Sequence, residues 1–197
     1  MIRLGLTGSI GMGKSTDARM YAEEGVPVFD ADPADHKLQG PDGALVAEIE
    51  AHFPGTTGAA GVNRSALGGR VLGEPLALRR LEELVHPAVA RERVAFIAAN
   101  RAAPLVLLDI PLLVDAGGWK DVDKVAVVSA PEEVQRARVL ARAGMTPQKL
   151  DAILVRQLPD REKRARADFV IDTGVPIEET RRAVRRIVAC LGTQADS

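Results

Sequence analysis

The stretch GSIGMGKS, Gly8 to Ser15, constrains the fold of this chain more than any other. It fits G-x-x-x-x-G-K-[S/T]. A short apolar run, IRLGL at 2–6, precedes it, and a helical pattern from Lys14 to Glu24 follows, stopped by Gly25. A loop set between strand and helix in this way turns its backbone N–H groups inward and adds the helix N-terminus, which makes an anion cradle. The expected ligand is a nucleoside triphosphate with Mg2+. Gly8, Ser9, Ile10, Gly11, Met12, Gly13, Lys14, Ser15 and Thr16 are expected to surround the phosphates. Lys14 should reach the β- and γ-phosphates, and the Ser15 hydroxyl should face the metal.

The rest of the chain alternates in the same way. Strands are expected at VPVF (26–29), PLVLLDI (104–110), KVAVVSA (124–130) and DFVID (168–172). Helical patterns begin at Pro33, cover 64–101 with a break at His86-Pro87, and recur at 132–144, 147–165 and 177–191. Residues 53–63 read as a Gly-rich loop, and the tail TQADS as a frayed end. Alternation with five short strands implies an α/β fold: a five-stranded parallel sheet flanked by helices. Ligands of such folds collect at the carboxyl ends of the strands, so the residues after Leu6, Phe29, Leu108 and Val128 should share one crevice.

Bulk properties exclude several classes. The 197 residues suit one domain, and 46% hydrophobic with 27% charged residues suits a globular core. A net charge of -1 and 3% aromatics argue against nucleic acid as a partner. No apolar run is long enough to span a membrane, and the N-terminus reads as a strand rather than a signal peptide. A single cysteine, Cys190, fits a cytoplasmic setting. Charge is uneven: residues 16–50 carry nine Asp/Glu and two Lys/Arg, and residues 136–166 carry nine Lys/Arg and three Asp/Glu. Such asymmetry suits solvated helix faces, or a basic element that meets polyphosphate.

A kinase needs cations around the moving phosphoryl group and a group that orients the acceptor hydroxyl. Arg138 and Arg142, four apart on one expected helix, can close as a lid over the γ-phosphate or pair with surface acids such as Glu132 and Glu133. Asp109 ends the central strand, where a carboxylate serves Mg2+ or caps a turn. Asp30 and Asp32 follow the second strand. Asp32 is the expected base, with Asp30 the alternate. Asp32, standing before Pro33, also reads as a helix N-cap, and the two jobs conflict. The guanine-reading N-K-x-D is absent from the sequence. A different metabolite kinase, or a nucleotide switch, remains an alternative.

These pieces resemble the dephospho-CoA kinase family over nearly the whole chain. The resemblance rests on LTGSIGMGKST (6–16), Asp-Ala-Asp (30–32), Asn63-Arg64 with Leu67, LEELVHP (81–87), Pro111-Leu112-Leu113, Arg138, Arg142, Gln157 and ADFVID (167–172). It departs from the family's usual residues at Asn63, Asp115, Ala152 and Thr173. The resemblance implies ATP-dependent phosphorylation of the 3′-hydroxyl of dephospho-CoA, with Mg2+. The implied fold has a nucleotide core (about 1–58, 102–135 and 166–192), an acceptor-binding helical region (about 59–101) and a lid (about 136–165). Asp30, Arg64, His86 and Leu112 are the implied substrate-binding residues. The partners implied are ATP and dephospho-CoA, and the expected state is a monomer or small homo-oligomer.

Overall fold

β1 (Ile2–Thr7) is the middle strand of a five-stranded parallel sheet, as its burial on both faces requires. The computed structural model describes residues 1–110, 113 and 118–194. Its sheet order is β2 (Val28–Asp30), β5 (Leu105–Asp109), β1, β6 (Lys124–Ser129), β7 (Phe169–Asp172). Leu6 lies opposite Asp109, Thr7 opposite Val127, and Ser129 opposite Asp172. Thr7, Asp109, Ser129 and Asp172 therefore finish at one edge of the sheet, and the glycine-rich loop leaves from that edge. All five expected strands are present, with ends shifted by no more than two residues.

Alternation along the strands decides which helices cover which face. Leu4, Leu6, Leu105, Leu107, Ala126 and Val128 form one core with Met20 and Tyr21 of α1 (Lys14–Glu23) and Val184, Ile187 and Leu191 of α9 (Ile177–Gln194). Burying each such large side chain is worth roughly 1.5–3 kcal/mol. Val125 and Val127 face the other way, against Val122, Leu158 and Ala167. Gly5 has the side chains of Leu113 and Val122 where its own Cβ would lie.

The backbone packs as two compact units, Met1–Phe29 with Asn100 onward, and Asp30–Ala99. The second unit holds α2 (Ala31–Gln39), α3 (Val46–His52), a hairpin of β3 (Thr57–Gly58) and β4 (Gly61–Val62), α4 (Arg64–Val71) and α5 (Pro75–Ala99). It has its own core of Leu38, Leu45, Ile49, Phe53, Leu67, Val71, Leu84 and Ala88. Residues 30–58 thus group with the helical insertion, because their apolar side chains find their partners in α4 and α5.

Five expectations about helices need correcting. α5 runs unbroken through Pro87, where a break was expected at His86-Pro87. An interior proline costs about 3 kcal/mol or more, and here Leu84 and Ala88, buried on either side of it, keep the helix whole. The interruption falls instead at Leu72–Glu74, where Gly73 has φ +89°. α2 starts at Ala31, two residues before Pro33. The helix expected over 132–144 is α6 (Glu132–Leu140), and the stretch 147–165 is two helices, α7 (Pro147–Leu154) and α8 (Asp160–Arg164), parted before Pro159. α9 takes in Thr193 and Gln194 of the tail that was expected to fray. Among the described residues no helix is long and apolar enough to cross a membrane.

Candidate active site

The loop from Gly8 to Gly13 turns on two glycines with left-handed backbone, Gly11 (φ +78°) and Gly13 (φ +93°). Gly11 has a second reason to lack a side chain: a Cβ there would meet the Val139 side chain and the Gln135 carbonyl of α6. Gly13 is the N-cap of α1, and no side chain caps that end. The Thr16 N–H donates to the Gly13 carbonyl at 2.9 Å, and the Lys14 and Ser15 N–H groups before it are the ones left to an anion, as the motif requires.

Lys14 opens α1, and its ammonium is ion-paired with Asp109 at the end of β5. The Asp109 side chain is 1% exposed and that of Lys14 is 18% exposed, so this pair is largely removed from water. Its strength is correspondingly greater than that of a surface pair. Ser15 and Thr16, next along α1, are exposed.

Beside the loop opens a cavity of about 480 Å³, bordered by Gly11, Gly13, Thr16, Arg138, Arg142 and Thr173, among others. The two expected arginines do meet at one place. They do not share a helix face, because α6 ends at Leu140 and Arg142 lies in the turn beyond it. Arg138 is held: its guanidinium donates to the Thr173 carbonyl (2.6 Å) and to Thr173 Oγ1 (3.2 Å). Thr173 Oγ1 donates in turn to the Met12 carbonyl of the loop (2.7 Å). Thr173 stood out in the sequence only as a departure from the family's usual residue. In the fold it links α6, the end of β7 and the phosphate loop.

Asp17 borders the same cavity and was not singled out in the sequence. It is fully buried, and neither carboxylate oxygen has a hydrogen-bond partner among the described residues. Burial pushes its pKa up to about 7 from an ordinary 3.8. Tyr21, one turn along α1, is buried with it, and burial followed by the Asp17 charge pushes the phenol upward too. A raised acid binds its proton more tightly when folded, so stability is greatest below pH 3.8 and falls as pH rises toward about 7. Asp17→Asn is expected to match the wild type near pH 4 and to exceed it at pH 8, by at most about 4 kcal/mol. Urea titrations at pH 4, 6 and 8 measure this, and equal pH slopes for the two proteins would contradict it.

In the second unit the Asp-Ala-Asp stretch is placed differently from the expectation. Asp30, not Asp32, is the N-cap of α2: its Oδ1 accepts from the Asp32 N–H at 3.0 Å. Asp32 sits in the first turn, exposed, and its carboxylate has no hydrogen-bond partner among the described residues. Proline in the first turn removes an N–H that the helix does not use, so Pro33 is accommodated two residues in.

Arg64 begins α4, whose N-cap Asn63 accepts from the Ala66 N–H at 3.0 Å. The Arg64 guanidinium lies 3.6 Å from Asp35 and donates to His36 Nε2 at 2.6 Å. His36 Nδ1 lies 2.9 Å from the Asp32 carbonyl. A carbonyl only accepts and a guanidinium only donates, which fixes His36 as the Nδ1–H tautomer. His86 is exposed on α5 and is not part of this network. Leu112 and its neighbour Pro111 lie outside the described residues.

Comparison with known proteins shows the family of the chain. A family model described as CoaE, dephospho-CoA kinase, matches residues 2–179. A protein of Novosphingobium aromaticivorans named dephospho-CoA kinase is 61% identical over 95% of this chain and 94% of its own length. One of Mesorhizobium japonicum with the same name is 54% identical over the whole of both chains. Among solved structures, dephospho-CoA kinase from Campylobacter jejuni superposes with a TM-score of 0.73 at 23% identity, over 98% of each chain, and so shares the fold.

Proposed function

Because the chain belongs to the dephospho-CoA kinase family, we propose that it transfers the γ-phosphoryl group of ATP to the 3′-hydroxyl of dephospho-CoA, giving coenzyme A and ADP. The observation that carries this reading is the uncapped α1 N-terminus behind a glycine-rich loop, with Lys14 in place at its first residue. Donors at that point favour the charge that spreads over the phosphoryl oxygens during transfer. Arg138 and Arg142 add two guanidiniums on the same side of the loop. Asp32 takes or orients the proton of the acceptor hydroxyl, and Asp30 holds the helix that carries it. Arg64, His86, Asp30 and Leu112 bind the acceptor in this reading.

The donor set suits Mg2+, which prefers hard oxygens, few protein ligands, phosphate and water. The Ser15 hydroxyl and the Asp109 carboxylate are the oxygens that would hold it, and Lys14 then shares Asp109 with the metal side. When bound, Mg2+ neutralises charge on the β- and γ-phosphates. A cytoplasmic monomer or small homo-oligomer fits the single cysteine and the near-zero net charge.

The test is ADP release from ATP and Mg2+ with dephospho-CoA, AMP, CMP or gluconate as acceptor. ADP that depends on dephospho-CoA is the expected result. Turnover on AMP or CMP alone would replace this reading with that of a nucleotide kinase.

A further inference from the structure

Ile10 carries side-chain hydrogen bonds from outside the loop on both its N–H and its carbonyl. Its N–H donates to Gln157 Oε1 at 3.1 Å, and its carbonyl accepts from Gln135 Nε2 at 2.7 Å. Gln135 is buried on α6, one turn before Arg138. Gln157 follows α7, after the turn that ends that helix. The two glutamines thus bracket residues 136–156, which contain Arg138 and Arg142. Both also line a cavity of about 380 Å³ beneath the loop, with Ser9, Met12 and Leu154.

We propose that Gln135 and Gln157 are a paired positioning device that pins both ends of segment 136–156 to the backbone of Ile10 and sets the loop for the polyphosphate of a nucleoside triphosphate. The proposal rests on the kinase reading for its ligand. The chemistry of the pair is complementary. One amide acts as an acceptor and the other as a donor, and together they satisfy the N–H and the carbonyl of one residue, which belong to the successive 9–10 and 10–11 peptides. The close fit of Gly11 against Val139 and Gln135 leaves the loop little room to shift once the Ile10 backbone is held. Neither glutamine needs to touch the ligand. Each acts through one of the two peptides that flank the Ile10 Cα, on which the orientation of the following N–H groups depends.

The donor-acceptor polarity gives a test that simple loss of packing would not mimic. Gln157→Glu keeps an acceptor for the Ile10 N–H, whereas Gln157→Ala leaves that N–H unpaired. Gln135→Glu sets a carboxylate against the Ile10 carbonyl, whereas Gln135→Ala merely removes a donor. Both glutamate variants add the same charge beside the same residue, so their difference reads the hydrogen bonding. Calorimetric titration with ATP and Mg2+, without acceptor, should show Gln157→Ala binding about tenfold more weakly than the wild type. Gln157→Glu should bind more tightly than Gln157→Ala, and Gln135→Glu more weakly than Gln135→Ala. In kinetics, KM for ATP should rise while KM for the acceptor stays put.

Hydrogen exchange of the Ile10 amide in the free protein supplies a readout independent of nucleotide. Protection should survive in Gln157→Glu and be lost in Gln157→Ala. If Gln135→Glu fails to fold, the Gln157 pair alone decides. Equal affinities for the two glutamate variants, or lost Ile10 protection with unchanged ATP affinity, would overturn the device. A wild type that shows Ile10 protection and no ATP binding would overturn the kinase reading and, with it, the ligand assigned here.

Discussion

Lys14→Ala is expected to lose turnover and folding stability together. The ammonium belongs to the first residue of α1, and a preorganised donor of this kind is typically worth about 10²–10³ in kcat. Its removal also breaks the ion pair with Asp109, whose side chain is 1% exposed. Breaking a buried pair from one side costs about 3–5 kcal/mol, and the lower end applies because Lys14 keeps an edge in water. Urea titration and initial rates measure the two losses. Replacing both partners, as Lys14→Met with Asp109→Leu, should recover most of the stability and none of the turnover, since an apolar pair has no desolvated charge. A stable Lys14→Ala protein would show that the pair contributes nothing to the fold.

The second large effect separates two neighbouring aspartates. Asp32→Asn should lower kcat by about 10²–10⁴, the usual reach of a general base, while melting temperature and ATP affinity stay at wild-type values. Asp30→Ala should cost about 1 kcal/mol of stability, the usual value of an N-cap. This division of labour follows from the Asp30 carboxylate being engaged with the Asp32 N–H. A destabilised Asp32→Asn protein with near-normal turnover would assign the cap to Asp32 after all.

The strands and the phosphate loop were legible because their signals are local. LVLLD at 105–109 is buried throughout, and the loop motif lies between the strand and helix that it requires. Helix ends were less legible. Asp32-Pro33 looked like a cap followed by a first residue, but first-turn positions tolerate proline generally, and the cap moved back to Asp30. At Pro87 tertiary burial outweighed the local signal. The contacts that tie the site together were hidden for another reason. Gln157 and Ile10 are 147 residues apart, and Arg138 and Thr173 are 35 apart. No spacing rule joins such pairs. Asp17 lies in the first turn of α1, where an acid draws no notice, and its burial becomes visible only in the fold.

The link from Arg138 through Thr173 to Met12 bears on the timing of entropy loss. A free arginine carries about 2 kcal/mol of rotamer entropy, and a ligand that must immobilise it binds more weakly by part of that amount. Here the immobilisation takes place when the chain folds, since the guanidinium is fastened to the end of β7. An anion arriving beside Gly11 and Gly13 meets a cation whose position is already chosen. Arg142, in the turn beyond α6, has no such tether among the hydrogen bonds described, so its ordering falls to the moment of binding. The two arginines of one cavity thus differ in when their freedom is given up.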